Sequence, residues 1–471
     1  MERKNTWETY SDKQMKEADA FAKEYMAFLD QGKTERECVD TIVNMIEKEG
    51  YRELQEVMKN NVKLKKGDKV YAVCMNKTVA MFHIGSKPLQ EGMNILGAHI
   101  DSPRLDVKQN PLYEDGGFAY LDTHYYGGVK KYQWVTIPLA LHGVIVKKDG
   151  TTVELAVGEN EDDPVFFISD LLIHLANEQL EKKASKVIEG EALDLIIGNK
   201  PLILDEDKKE EKGIDAKEAV KKGILAILKE SYGVEEEDFI SAELEIVPAG
   251  RAREAGLDRS MVLAYGQDDR VCAFSSLKAM LEAKTLQRTA CCLLVDKEEI
   301  GSVGATGMQS RFFENTMAEI MNLTGEYSEL ALRRCLASSC MLSSDVSSAF
   351  DPTYATSFDK KNVATLGGGM VINKFTGARG KSGSNDANAE YLAYLRETFS
   401  KDKVNFQTAE LGKVDLGGGG TIAYILALYG MNVIDSGVAV LNMHAPWEAT
   451  SKADIYEAKR GYAAFLKGAG M

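Results

Sequence analysis

Residues 267–304 read QDDRVCAFSSLKAMLEAKTLQRTACCLLVDKEEIGSVG. Arg270–Ala283 carries its apolar residues at helical spacing, and Ala290–Val295 is a short, wholly apolar run. Such a run, stopped by charge and followed by a glycine-containing turn, is the pattern of a strand buried on both faces. The alternation continues beyond it. Strands are expected at Cys340–Ser344, Gly369–Ile372, Val404–Gln407 and Asn432–Ile434. Helices are expected at Ser384–Thr398, Gly420–Leu428 and Ala453–Lys467, with Ser384 as an N-cap. Strands alternating with helices predict an α/β fold with a mostly parallel sheet flanked by helices.

Working toward the N-terminus, residues 12–49 predict two helices, and strand-like runs follow at Lys69–Cys74, Thr78–Ile84 and Met93–Leu96. From about 105 to 255 the character changes to strand-like pieces at Gly117–Leu121, Trp134–Leu141, Gly143–Lys147 and Val153–Val157, then a helix over Phe167–Glu181. Asp205–Lys212 is nearly all charge and reads as a solvated loop; a helix over Ala216–Glu230 and a strand over Ala242–Pro248 come after it. The simplest organisation is one α/β domain, 1–104 plus 256–471, interrupted by an inserted β-rich domain, 105–255.

Composition excludes several classes. Of 471 residues, 57 are Lys or Arg against 72 Asp or Glu, a net charge of −15 that disfavours nucleic acid and anionic membranes as general partners. No run of 18 apolar residues predicts a membrane span, and residues 1–30 lack the apolar core of a signal peptide. Seven cysteines with no CxxC pair fit a reduced, cytoplasmic chain, with Cys291 and Cys292 as inert core. No GxxxxGK[ST] or GxSxG is present. Gly417–Gly420 reads as a close-approach turn near substrate.

The chemistry-bearing candidates gather at predicted strand ends. His99 follows an apolar strand in GAHIDSP, and His444 follows another in MHAPWE. Asp268-Asp269 open a helix, Glu298-Glu299 follow Ala290–Val295, and Asp345 follows Cys340–Ser344. An isolated acidic pair is ordinarily solvated surface, but both pairs here border apolar elements. Two imidazoles and several carboxylates without thiolate suit Zn²⁺, Mn²⁺ or Co²⁺, and are about enough for two metals sharing a bridging carboxylate. A glutamate beside a ligand glutamate would be the general base.

Five motifs in order, GAHIDSP, QDDRVCAF, DKEEIGSVGATG, SSDVSSAFDP and MHAPWE, together with the insertion between the first two, make the chain resemble the aspartyl aminopeptidase (M18) family of metallopeptidases, most of all its bacterial members. The resemblance implies a dizinc exopeptidase-like fold and a cytoplasmic aminopeptidase acting on peptides. It implies two divalent ions, zinc first, with manganese or cobalt as alternatives. His99 and Asp345 would bind one metal, Glu299 and His444 the other, and Asp268 both. Asp101 would orient His99, and Glu298 would be the general base. His174 would reach the tetrahedral intermediate of a neighbouring subunit from the inserted dimerisation domain, within a homododecamer built from dimers. Lys374 and Gly419 are candidate substrate contacts. Where eukaryotic members carry two histidines after the metal aspartate, this chain has Ser348 and Asp351, which leaves the N-terminal residue preference open. Two other functions stay in view: a dinuclear deacylase acting on small amides, and a scaffold without catalysis.

Overall fold

The computed structural model describes residues 4–203, 218–468 and 470. The expected charged loop Asp205–Lys212 lies outside them. The chain divides into two compact units, one of residues 1–102, 252–443 and 447–471, the other of residues 103–251 with the turn 444–446.

The first unit opens with helices Asp12–Gln31 and Glu35–Lys48. Each starts in a capping box, Ser11 with Gln14 and Thr34 with Glu37, which satisfies N–H groups the helix itself cannot. Strands β1 (Arg52–Glu53), β2 (Lys69–Cys74), β3 (Thr78–His83) and β4 (Met93–His99) follow. The second unit holds β5 (Arg104–Asp115), β6 (Phe118–Tyr126), β7 (Leu139–Val146), β8 (Thr152–Val157), β9 (Leu195–Gly198) and β10 (Ala242–Pro248). These pair as one antiparallel sheet in the order β8-β7-β10-β5-β6-β9. The chain returns to the first unit through β11 (Arg253–Ala255), β12 (Met261–Ala264), β13 (Thr289–Val295), β14 (Cys340–Ser343) and β15 (Ser347–Ser348). It ends with β16 (Met370–Asn373), β17 (Phe406–Thr408), β18 (Asn432–Gly437), β19 (Ala439–Leu441) and β20 (Glu448–Ser451).

Nine strands form the main sheet, in the order β1-β2-β3-β13-β4-β14-β18-β16-β17. Its centre, β13-β4-β14-β18, is parallel, and β3 and β16 flank that centre antiparallel. Side chains alternate along a strand, and here both faces are buried. Leu96, Cys292, Leu342 and Ile434 enter one apolar layer, beneath helices Asp12–Gln31, Gln267–Glu282 and Lys452–Lys467. Their neighbours Ile95, Cys291, Met341 and Val433 enter the opposite layer, with helices Phe312–Thr324 and Glu329–Ala337. Cys291 and Cys292 therefore pack against different helices, and burial pushes both thiols up.

Several sequence expectations need correction. Phe167–Glu181 is not a helix. Phe166 and Phe167 bridge to Leu139 and Ile196 as strand-like backbone, and only short turns at Ile173–Leu175 and Asn177–Leu180 follow. Strand pairing outcompetes local helix propensity there. Trp134–Leu141 and Gly143–Lys147 are not two strands: β7 runs unbroken through Gly143, whose φ of +131° and close approach to the Glu243 carbonyl leave no room for a Cβ. Ser384 is no N-cap. Its hydroxyl accepts from the Thr376 N–H (2.8 Å), and the helix starts at Ala389 with Asn388 accepting from the Tyr391 N–H (2.7 Å).

The two-layer packing is testable at Leu342, which is fully buried in the centre of the sheet. Leu342→Ala should cost about 2–5 kcal/mol, read as a lowered thermal midpoint, while Leu342→Met should cost less than ~1.5 kcal/mol.

Candidate metal centre

Three adjacent parallel strands stop at nearly the same level: His99 of β4 is in register with Val295 of β13, and Gly97 with Ser343 of β14. The residues just past those ends are Asp101, Glu298-Glu299 and Asp345. Ligands gather at the carboxyl ends of strands in open α/β sheets because loops from separate strands converge there. A fourth contribution comes from Asp268, in the first turn of the helix Gln267–Glu282.

His99 is fully enclosed at the centre. Its Nδ1 lies 3.0 Å from the Asp101 carbonyl and 3.3 Å from the Asp101 carboxylate. With Nδ1 donating to these oxygens, Nε2 is the nitrogen whose lone pair becomes available once the ring is neutral. That Nε2 is buried without a hydrogen bond. Carboxylate oxygens of Asp268 (3.3 Å), Asp345 (3.8 Å) and Glu298 (4.0 Å) surround it. One ligand atom from each of His99, Asp268 and Asp345 falls within 4.8 Å of the others. A buried orphan nitrogen facing carboxylates is a donor set made for a cation, and the mix of imidazole and carboxylate fits Zn²⁺.

The electrostatics agree. Burial opposes a charged His99, but the Asp101 and Asp268 carboxylates outweigh it and hold the imidazole well above its usual range. Burial, aggravated by the charges of Asp269 and Glu298, pushes Asp345 up. Asp269 is raised by burial and by Asp268. Like charges crowded in low dielectric retain protons unless a cation takes their place.

Asp101 does more than orient His99. Its two carboxylate oxygens accept from the backbone N–H groups of Glu298 and Glu299, each at 3.2 Å. The turn they clamp begins at Lys297, held at φ +68°, and continues as a 3₁₀ turn over Glu298–Ile300. One carboxylate thus sets both the imidazole and the acidic pair.

Apart from Asp269, which the sequence marks together with Asp268, the other supporting groups carried no separate signal in the sequence. Glu448 accepts from the Asp268 N–H (3.0 Å), and Asp269 from the His99 N–H (3.3 Å). Ser102 Oγ donates to the Asp268 carbonyl (2.7 Å). Buried Arg270 donates to the Ile100 carbonyl (3.2 Å) and to the Lys33 carbonyl (2.9 Å), bracing the chain between His99 and Asp101. All but Lys33 lie within the conspicuous motifs, yet motif membership alone does not say which neighbour each side chain holds.

His444 occupies the turn between β19 and β20 at φ +66°, and its Nδ1 lies 3.0 Å from the Gly128 carbonyl. His174 lies on an exposed turn of the second unit, not in a buried helix. Lys374 is exposed just after β16, and Gly419 accepts from the Gly377 N–H (2.8 Å).

Replacing Asp101 by Asn should weaken metal binding by about 10–100-fold, measured by competition with a chelating dye. His99 and Asp345 are both held above their usual ranges, so protons they carry must leave when a metal enters and affinity should rise with pH; calorimetry in buffers of different ionisation enthalpy would read the released protons, and a pH-independent affinity would contradict this account.

The family described as Aminopeptidase I zinc metalloprotease (M18) matches residues 28–466. A Clostridium acetobutylicum protein named a probable M18 family aminopeptidase 1 is 62% identical over 465 residues, covering 99% of this chain and 98% of that one. The crystal structure of an aminopeptidase I from Clostridium acetobutylicum superposes with a TM-score of 0.90 at 60% identity, over 99% of this chain and 100% of that one. A Saccharomyces cerevisiae mApe1, described as a dodecamer, shares the fold with a TM-score of 0.74 at 19% identity, over 95% and 96% of the two chains. With an orphaned imidazole nitrogen among carboxylates at the strand ends, and relatives matched end to end, the chain belongs to the M18 family of zinc metalloproteases and is a metal-dependent aminopeptidase.

Proposed function

We propose that this aminopeptidase works through two divalent ions in a dizinc exopeptidase-like site, with His99 and Asp345 holding one, Glu299 and His444 the other, and Asp268 between them. Zinc is the first choice, and the same donors accept manganese or cobalt. The observation that carries the reading is the set of carboxylates facing the bare Nε2 of His99. When bound, the ions polarise the scissile carbonyl and make the attacking water more acidic.

The chain's own residues supply the rest. Glu298 is the general base. Its side chain is 15% exposed where His99 is 1%, so it reaches the solvent side of the cluster while its backbone is fixed by Asp101. It takes the proton of the attacking water and returns it to the departing amine, which leaves the glutamate ready for another cycle. Asp101 keeps its place by accepting from two backbone amides and from His99. Peptides are the substrates, with Lys374 and Gly419 as contacts.

His174 acts in a second copy of the chain, on the oxyanion, within a homododecamer assembled from dimers through residues 105–255. Support comes from its surroundings. Leu172, Ile173 and Leu175 are 54%, 65% and 67% exposed, an apolar patch costly to leave in water. The cytoplasm suits the seven cysteines, all free thiols.

Glu298→Gln should retain two metals per chain by elemental analysis and lose about 10²–10⁴-fold in kcat on aminoacyl-p-nitroanilides. Near-wild-type turnover would overturn the base assignment.

A further inference from the structure

The Gly417–Gly420 run is held without side chains of its own. A Cβ at Gly417 would collide with the Leu411 carbonyl, and one at Gly418, at φ +115°, with the Gly377 carbonyl. Backbone packed this closely can be fixed only by its own amides and by what comes next. Two tethers are backbone: the Gly417 N–H donates to the Lys413 carbonyl, and the Gly377 N–H to the Gly419 carbonyl. The side-chain tether is Thr421, whose hydroxyl donates to Asp435 Oδ1 at 2.6 Å and accepts from the Ala423 N–H at 3.3 Å, just before the helix Ala423–Ala427.

Asp435 is an unusual residue for its position. It lies within β18, in register with Ser343 of β14 and Asn373 of β16, and is 3% exposed. A carboxyl in the middle of a buried strand costs several kcal/mol to leave uncompensated. Its Oδ2 is buried with no hydrogen bond partner among the described residues. Burial pushes its carboxyl up to about 7, against the pull of the Thr421 bond, and the charge of Glu298 adds to the rise. A core position that tolerates such a group is being used to hold something. What it holds is the end of the glycine loop, and the strand it holds it from runs beside the one that delivers Asp345, two residues past Ser343.

We infer that Thr421 and Asp435 are a positioning pair, whose bond sets the height of the Gly417–Gly420 backbone at the edge of the metal centre so that the loop can take the peptide substrate's backbone. Neither residue touches the reacting atoms. The inference rests on Gly419 lining the substrate cleft, and the two can fail separately. Gly419→Ala tests the cleft alone, because an added Cβ meets nothing nearer than the Leu411 side chain at 3.8 Å.

Kinetics on aminoacyl-p-nitroanilides with zinc-loaded full-length protein decide it. Thr421→Val removes the donor and keeps the shape. It should raise KM about tenfold, the worth of a hydrogen bond to a charged group, with kcat within about threefold and metal content unchanged. Thr421→Ser, which restores the hydroxyl, should return KM to near wild type. Thr421→Val combined with Asp435→Asn should be no worse than Thr421→Val alone, as two ends of one bond. A KM within about twofold of wild type in Thr421→Val, or a serine variant as impaired as the valine one, overturns the pair. If Thr421→Val does not fold, Asp435→Asn carries the test: it keeps the shape and weakens the bond, so an unchanged KM overturns the proposal. A raised KM in Gly419→Ala with none in Thr421→Val sinks the pair and leaves the cleft standing. An unchanged KM in Gly419→Ala sinks both.

Discussion

Negative charge, packed where water cannot screen it, is the constraint on which this molecule is arranged. Asp101, Asp268 and Asp269 are buried around His99, and Glu298 and Asp345 reach the same nitrogen. Two like charges 4 Å apart repel by about 4 kcal/mol at an effective dielectric of 20. The cluster offsets this in three ways. Backbone amides of residues 298 and 299 donate to Asp101, the Asp268 amide sits on Glu448, and the imidazole faces the carboxylates. A dication held among these oxygens would offset the repulsion that is left.

The sheet makes the cluster possible. Parallel strands deliver their following loops to one edge, and the register that aligns His99 with Val295 and Gly97 with Ser343 places three acidic loops side by side. Both faces of those strands are apolar and covered, so the loops cannot relax into the sheet. The stability of the scaffold and the electrostatic strain of the site are separate quantities held by the same strands: burial of Leu342, Ile434 and Cys292 supplies the first and leaves the second to be met by the metal.

Much of this was legible in the sequence because it is periodic. Apolar runs such as Ala290–Val295, Lys69–Cys74 and Ala242–Pro248 mark strands within one residue of their ends, and helical spacing finds Asp12–Gln31 and Lys452–Lys467. What failed were places where the signal is tertiary. Phe167 looks like the start of a helix until its partner Ile196 is known. Gly143 looks like a break until the Glu243 carbonyl beside it shows why no side chain fits. In the site, the residue types of His99, Asp268, Glu298 and Asp345 announce metal chemistry. The roles of Glu448 and Arg270 do not, because each acts through a backbone atom far along the chain, and a sequence carries no sign of which amide or carbonyl a side chain will meet.

The same distinction explains why Asp101 is better understood as the hinge of the site than as an accessory to one histidine. Orienting an imidazole needs one acceptor, and the Asp101 carbonyl at 3.0 Å already provides it. The carboxylate is placed so that its two oxygens meet two successive amides, those of the proposed base and its neighbouring ligand. A neutral side chain could accept at one of these and would present a donor to the other. The residue must therefore be an acid. Charge and position at this residue follow from the two amide contacts, and they tie the first strand of the site to the second before any metal arrives.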